Sequence, residues 1–442
     1  MKKFFYFLVG TLILCTSCND DDDQYKTYSV NVQLVYTGDN FEPVEGVEVK
    51  LTNSSGSAVE ATTDHSGKAT FTVAAGVYEA SATDVRYGTG ESFIYNGIKS
   101  NITVTESWVE TEIVELTLSE SKQSQIIIKE LYVGGCQKDN LSGGFFNDKY
   151  VILYNNSNQP ASLGQLCFGI IQPYNAHASN NDYTDGKLIY EDDDWIPAGN
   201  GIWYFPDNIT LEPGKQIVVA LNNAIDNTQT YSKSINFANP DYYCMYDIAV
   251  YDNTTTYPSP SEVIPTSHYL SAIKFGQSNA WVVSQLNPAF FIFSTKDESP
   301  VDFANNADNT NYYGGSATPA NTRKKVPVDQ IIDAVEVFTT TSDKNQKRFT
   351  AKVDAGQTYL ENTLGYASYR NVDPEATKAI EGNETKLVYS YNKGTEIDGK
   401  ASTDPSGIDA EASIKNGARI IYKDTNNSAN DFHQRKQASL RD

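Results

Sequence analysis

Cysteine, methionine and histidine are scarce in this 442-residue chain, at five, two and four residues. His65, His177, His268 and His433 stand far apart, without the spacing of metal ligands. Beyond Cys15-Thr16-Ser17-Cys18 in the N-terminal segment, no CxxC occurs, and no HExxH, GxSxG or Walker-type loop occurs anywhere, which removes the zinc, serine-hydrolase and P-loop chemistries those motifs carry and leaves no dithiol motif in the body of the chain. A two-carboxylate glycosidase site leaves no motif, because geometry alone sets its acid and nucleophile; composition leaves that arrangement open. Basic residues are also few: 34 Lys and Arg against 56 Asp and Glu, a net charge of −22. Less Lys2 and Lys3, the 32 remaining basic residues against 56 acidic ones give −24. Such a surface repels phosphate backbones, which are gripped by clustered Lys and Arg, so no nucleic-acid role is expected. The acidity reads chiefly as a solubility device.

Long apolar runs are missing too. The longest, Phe4 to Leu14 behind Lys2 and Lys3, falls well short of the ~20 residues of a membrane-spanning helix. It has the charge and length of a secretory signal. The following Leu14-Cys15-Thr16-Ser17-Cys18 resembles a lipoprotein signal-peptidase site, with Cys15 where the family usually has Leu. The resemblance implies cleavage after residue 17 and diacylation of Cys18, a stable anchor without a transmembrane segment. Asp20, Asp21, Asp22 and Asp23 form a like-charge run that stays extended. It resembles the acidic export signal of Bacteroidota surface lipoproteins, which implies an outer-membrane protein facing the cell exterior. Residues 1–17 are thus read as signal peptide and 18–24 as acylated tether.

What is abundant is aromatic and β-forming: 29 Tyr and 19 Phe, in short runs between Gly, Asn and Thr breakers, as in all-β domains. Ser29 to Tyr36 and Val44 to Thr52 alternate apolar and polar residues, the period of half-buried strands, and Asp64-His65-Ser66-Gly67 supplies a turn. The string TTDHSGKATFTV…GVYEASAT (residues 62–83) resembles the carboxypeptidase-regulatory, transthyretin-like and Cna-B-like sandwiches. That implies an Ig-like or transthyretin-like β-sandwich over 25–118, a spacer or interaction module without catalytic residues. In some relatives a Lys–Asn isopeptide bond forms; Lys50 is the lysine to nominate, and nothing fixes its partner.

Residues 119–125 read as a linker. Beyond it, IIIKEL (126–131), DKYVILYNNS (148–157), ASLG (161–164) and LEPGKQIVVA (211–220) resemble, in order, the strand phrases of lamin-tail-like sandwiches, with Ile152 where that family usually has Glu. VDQIIDAVE (328–336) and ARIIYKDTNNSANDF (418–432) resemble its later phrases. The resemblance implies one lamin-tail-like β domain over 126–442, larger than the first, with long insertions near 172–200, 221–322 and 370–415. As a whole the chain is similar to an uncharacterised Bacteroides lipoprotein family, DUF4876-like, which implies a fold and an address but no reaction.

Two sets of residues are candidates for binding. Asp424, Asn426, Ser428 and Asp431 place oxygen donors as a calcium loop does, although Ala429 stands for the central glycine and Arg435 for the closing Glu. The competing reading is turn capping of backbone N–H groups. Asp182, Asp185 and Glu191 to Asp194 are a further acidic loop, read as solvated. Among aromatics, Trp195, Tyr251, Tyr257, Tyr269 and Trp281 fall in the long segments, where rigid scaffolds often carry function; Trp203-Tyr204-Phe205 reads as core. The segment 221–322 far exceeds the ~12–15 residues of ordinary loops and is the expected interaction surface. Cys136, Cys167 and Cys244 allow at most one disulfide, Cys136–Cys167 being one option and three buried thiols the other. The expectation is a non-catalytic, surface-exposed accessory lipoprotein, docking on a TonB-dependent transporter or holding an unknown ligand. A structural or adhesive role is the alternative, and a hydrolase is third.

Overall fold

The computed structural model describes residues 26–37, 44–87, 92–122, 124–296, 298–339 and 344–442. Cys18 and Asp20, Asp21, Asp22 and Asp23 lie outside the described residues. The chain is all-β, with few and short helices.

Seven strands make the first unit: β1 (Thr27–Tyr36), β2 (Glu48–Asn53), β3 (Ala58–Thr62), β4 (Lys68–Ala74), β5 (Gly76–Tyr87), β6 (Ser92–Val104) and β7 (Ile113–Lys122), in the order β3-β2-β5-β6-β7-β1-β4. The alternation in β1 is what a one-sided sheet needs: Val30, Val32 and Leu34 are buried while their neighbours face outward. β6 and β7 pair only from Phe93 to Asn96 against Ser119 to Lys122. Past that hinge the sheet folds on itself, so Val49, Leu51 and Ala80 share a core with Val32, Phe71 and Leu116. β7 runs parallel to β1, Asn31 opposite Ile113 and Tyr36 opposite Leu118. The chain therefore enters this sandwich at one pole and leaves at the other. β7 extends to Lys122, through the first part of the stretch read as linker.

The second unit is built on a 12-stranded sheet in which Tyr243–Met245 and Tyr269–Lys274 join two halves by a two-residue parallel pairing. One half holds Ile126–Tyr132, Tyr150–Asn155, Gln216–Ala220, Ala367–Arg370 and Phe432–Arg435; the other holds Leu166–Ile170, Gly201–Tyr204, Ala289–Ser294 and Ile331–Phe338. The halves face each other, bringing Ile128, Leu131, Leu153 and Val219 against Phe168, Trp203, Ile292 and Val335.

Several strands of this unit lack polar alternation because both faces are covered. All residues of Ile126–Tyr132 and Tyr150–Asn155 are buried. On one outer face Tyr190, Trp195, Phe303 and Phe349 cover Cys167, Phe291 and Phe293. On the other, Ile235, Phe237 and Ile264 cover Tyr150, Ile152 and Val218, and Val372, Ile408 and Ile420 cover Ile127 and Tyr154. Residues 221–322, read as a looped insertion, instead supply three strands of the sheet and part of these covers. Cys136, Cys167 and Cys244 are free and buried, so the disulfide option is not taken. Among the described residues no helix is long and apolar enough to cross a membrane.

Candidate functional site

The aromatic candidates are drawn inward. Tyr251, Tyr257 and Trp281 belong to the central core: Tyr251 stacks on Trp203 at 5.6 Å between centroids, the Tyr257 hydroxyl donates to Trp281 O at 2.6 Å, and Trp281 Nε1–H donates to Gly201 O at 3.0 Å. Trp195 is 9 % exposed and lies between Tyr190 and the Arg323 guanidinium. Of the five, Tyr269 alone is half-exposed, edge-on to Tyr246. The expectation of stacking faces open to a ligand is corrected at Trp195, Tyr251, Tyr257 and Trp281. The covering segments that expose loop backbone also bury their aromatic side chains, each gaining about 1.5–3 kcal/mol by leaving water.

The calcium candidates are likewise turned to partners of the chain's own. Asp431 accepts from Thr425 N at 2.9 Å, Thr425 Oγ1 at 2.7 Å and Asn427 N at 3.3 Å. Ser428 Oγ donates to Asp354 at 2.6 Å. Asn426 takes a left-handed φ of 49°. Asp424 accepts from Arg370 Nη1 at 3.4 Å and from Ser124 N at 3.3 Å. Arg370 also bonds Asp333, Ile128 O and Lys423 O, lies 3.6 Å from Asp431, and packs on the Phe432 ring. A guanidinium thus stands where the calcium reading put a cation, and backbone N–H groups fill the carboxylate lone pairs. Burial pushes the Asp424 carboxyl up to about 8, with Asp333 adding to the effect. Asp182 forms a two-pronged pair with Arg323 inside the protein, and on the surface Asp192 and Asp194 pair with Lys187 and Lys352.

Residues outside these candidate sets make up the polar interior. Glu336 accepts from Arg348 Nε at 2.9 Å and from the backbone N–H of Arg348 and Phe349. Burial alone would raise its carboxyl, but Lys347 and Arg348 outweigh it and hold the group low. A bulge between Ile128 and Glu130 opposite Ile152 and Leu153 breaks the period of its strand, and Lys129 and Glu130 are both fully buried. Lys129 Nζ lies 2.6 Å from Glu411 and donates to Gln216 Oε1 at 2.7 Å, with the Tyr369 and Tyr422 ring centroids each 5.7 Å away. His433 bonds Asn371 at 2.7 Å on one ring nitrogen and Tyr391 on the other; burial, with Arg435 nearby, holds its pKa down to about 3. The sequence signal for such groups is a charge inside an otherwise apolar strand, as in IIIKELY and IIDAVEVF. It reveals burial but not the partner.

The carboxyls raised by burial (Glu130, Asp148, Asp333, Asp354, Asp404 and Asp424) are all buried residues rather than the lining of an open cleft. A shallow dimple beside Ile170, Tyr174, Val282 and Pro288 is too tight to admit a water molecule.

No curated protein matches this sequence. Among solved structures, a DUF4876 family protein from Bacteroides thetaiotaomicron is similar over 92 % of this chain and 94 % of that one, at 19 % identity and a TM-score of 0.51, a likeness of fold. A candidate adhesin from Bacteroides ovatus (14 % identity, 32 % of this chain and 66 % of that one, TM-score 0.18) and a DUF3823 family protein from Parabacteroides merdae (12 %, 42 % and 79 %, 0.14) are too remote to carry an argument. The model of the family described as "Protein of unknown function (DUF4876)" matches residues 212–439, just over half of the chain, and the chain belongs to that family.

Proposed function

We propose that this protein is a non-catalytic cell-surface lipoprotein with a structural or adhesive role, its first sandwich a stalk and its second the displayed head. The observation that carries this reading is the parallel pairing of β1 with β7. An acylated Cys18 would tether the chain at the pole where β1 begins, and the head is reached from the opposite pole. The ten residues of β1 at about 3.3 Å each give a spacer of roughly 30 Å. The buried, self-paired carboxylates and the enclosed aromatics support a head that works by its outer surface. Docking on a TonB-dependent transporter rests on the N-terminal address alone and becomes an outcome of the test.

The test is a tagged pull-down of the full chain from detergent-solubilised outer membranes, beside a Cys18→Ala variant. Recovery of the lipoprotein without a stoichiometric partner, with Cys18→Ala lost from the membrane fraction, is expected. A co-purifying β-barrel transporter would replace the structural reading with uptake. Membrane retention of Cys18→Ala would overturn the anchor.

A further inference from the structure

The two sandwiches meet at a built joint. Thr83 and Asn96 face each other across β5 and β6, near the pole where the chain leaves the first unit, with Thr83 Oγ1 donating to Asn96 Oδ1 at 2.6 Å. Asn96 is 1 % exposed. Its Nδ2 donates to Thr425 O at 2.5 Å and Asn426 O at 3.3 Å, while Asn427 Nδ2 and Asn430 Nδ2 each reach Thr83 Oγ1 at 3.4 Å. Two side chains of the first unit thus read the backbone and amides of one turn of the second.

That turn is held from behind. Asp431 ties down the N–H groups of Thr425 and Asn427, and Asp354 takes the N–H and hydroxyl of Ser428 at 2.7 and 2.6 Å. A Cβ at Gly356 would overlap Asn427 Oδ1, so a glycine there leaves room for the amide. Arg370 joins Asp333 of the sheet to Asp424 at the start of the turn. Ser124, between the units, donates its N–H to Asp424 and its hydroxyl to Ile332 O at 2.5 Å, pinning the connection to the same place.

We propose that residues 424–431, preorganised by Arg370 and Asp354, are a mount that clamps the first sandwich through Thr83 and Asn96, so that the two sandwiches move as one rigid body. The usual expectation for two domains joined by a short polar connection is relative motion. A rigid joint instead fixes the direction in which the second unit points from its tether. The fixed joint goes beyond the stalk-and-head reading and holds whether or not the chain is displayed on a cell.

The test is a distance distribution between spin labels at Glu115→Cys and Glu384→Cys, both exposed positions, in the full chain. Cys136, Cys167 and Cys244 are buried and are expected to stay unlabelled, and Cys15 and Cys18 are changed to serine in every protein compared. A single narrow distribution is expected for the parent. Thr83→Val with Asn96→Ala should broaden it at least twofold while the melting transition of the second unit stays in place. Asn430→Ala, which removes one contact to Thr83, is the milder variant and should broaden it less. Lys400→Ala, which removes the exposed contact to Gly56 O, should leave it narrow. A broad distribution in the parent, or a Thr83→Val/Asn96→Ala variant as narrow as the parent, would overturn the mount.

Discussion

Replacing Asp148 by asparagine should change how stability depends on pH, and the structure gives the size. Asp148 is fully buried; one carboxylate oxygen accepts from Ser234 Oγ at 2.7 Å and Tyr132 OH at 3.2 Å, and the other has no partner among the described residues. Burial raises the carboxyl from 3.8 to about 6. Below pH 3.8 the group is protonated whether the chain is folded or not, and it costs nothing. As pH rises from 3.8 to 6, the unfolded chain releases this proton while the folded chain keeps it, so stability falls and levels off above 6. At about 1.4 kcal/mol per pH unit, that interval is worth about 3 kcal/mol. Asparagine retains an acceptor for Ser234 and Tyr132 and cannot ionise. One offset follows from Lys149, buried and lowered to about 8, whose charge Asp148 helps to hold; losing that attraction trims the gain. The expected difference is therefore about 1–3 kcal/mol in favour of Asp148→Asn at pH 7, vanishing near pH 3.5. Urea unfolding followed by tryptophan fluorescence across this range measures it. Comparing two proteins cancels the opposing contribution of His433, which takes up a proton on unfolding as pH falls below 6.5. Parallel profiles for the two proteins, or a variant less stable at pH 7, would refute the reasoning.

Glu336→Gln should cost about 3–5 kcal/mol in urea unfolding, because it strips the charge partner from a buried Arg348. Lys129→Met and Glu411→Leu should each destabilise strongly, while the double variant recovers at least about 2 kcal/mol of their summed loss in a double-mutant cycle; strict additivity would argue against the buried pair. Trp281→Ala should lower stability by about 3–5 kcal/mol, as expected of a core aromatic; a loss under 1 kcal/mol would restore the reading of Trp281 as a surface group.

The regularities the sequence carried were those of the backbone and its periods. The alternation in β1 foretold a one-sided sheet, and the runs at 126–132 and 150–155, apolar but for Lys129, Glu130 and Asn155, belong to strands covered on both faces. The Asp-rich run after Cys18 and the short apolar segment before it carry the proposed address, a reading of local chemistry that needs no fold. Tertiary structure decided what period and composition leave open. Tyr251, Tyr257 and Trp281 sit in a segment rich in turn residues, yet which side of a covering segment faces the sheet depends on the sheet beneath. Arg323 and Asp182 are 141 residues apart, and Arg370 and Asp333 are 37 apart, so no local pattern names them as partners. The calcium-like spacing of Asp424, Asn426, Ser428 and Asp431 is real in the sequence, but an arginine from another strand lies against its carboxylates. Local order follows from residues a few positions apart; burial and charge pairing follow from residues that only the folded chain brings within a few ångströms.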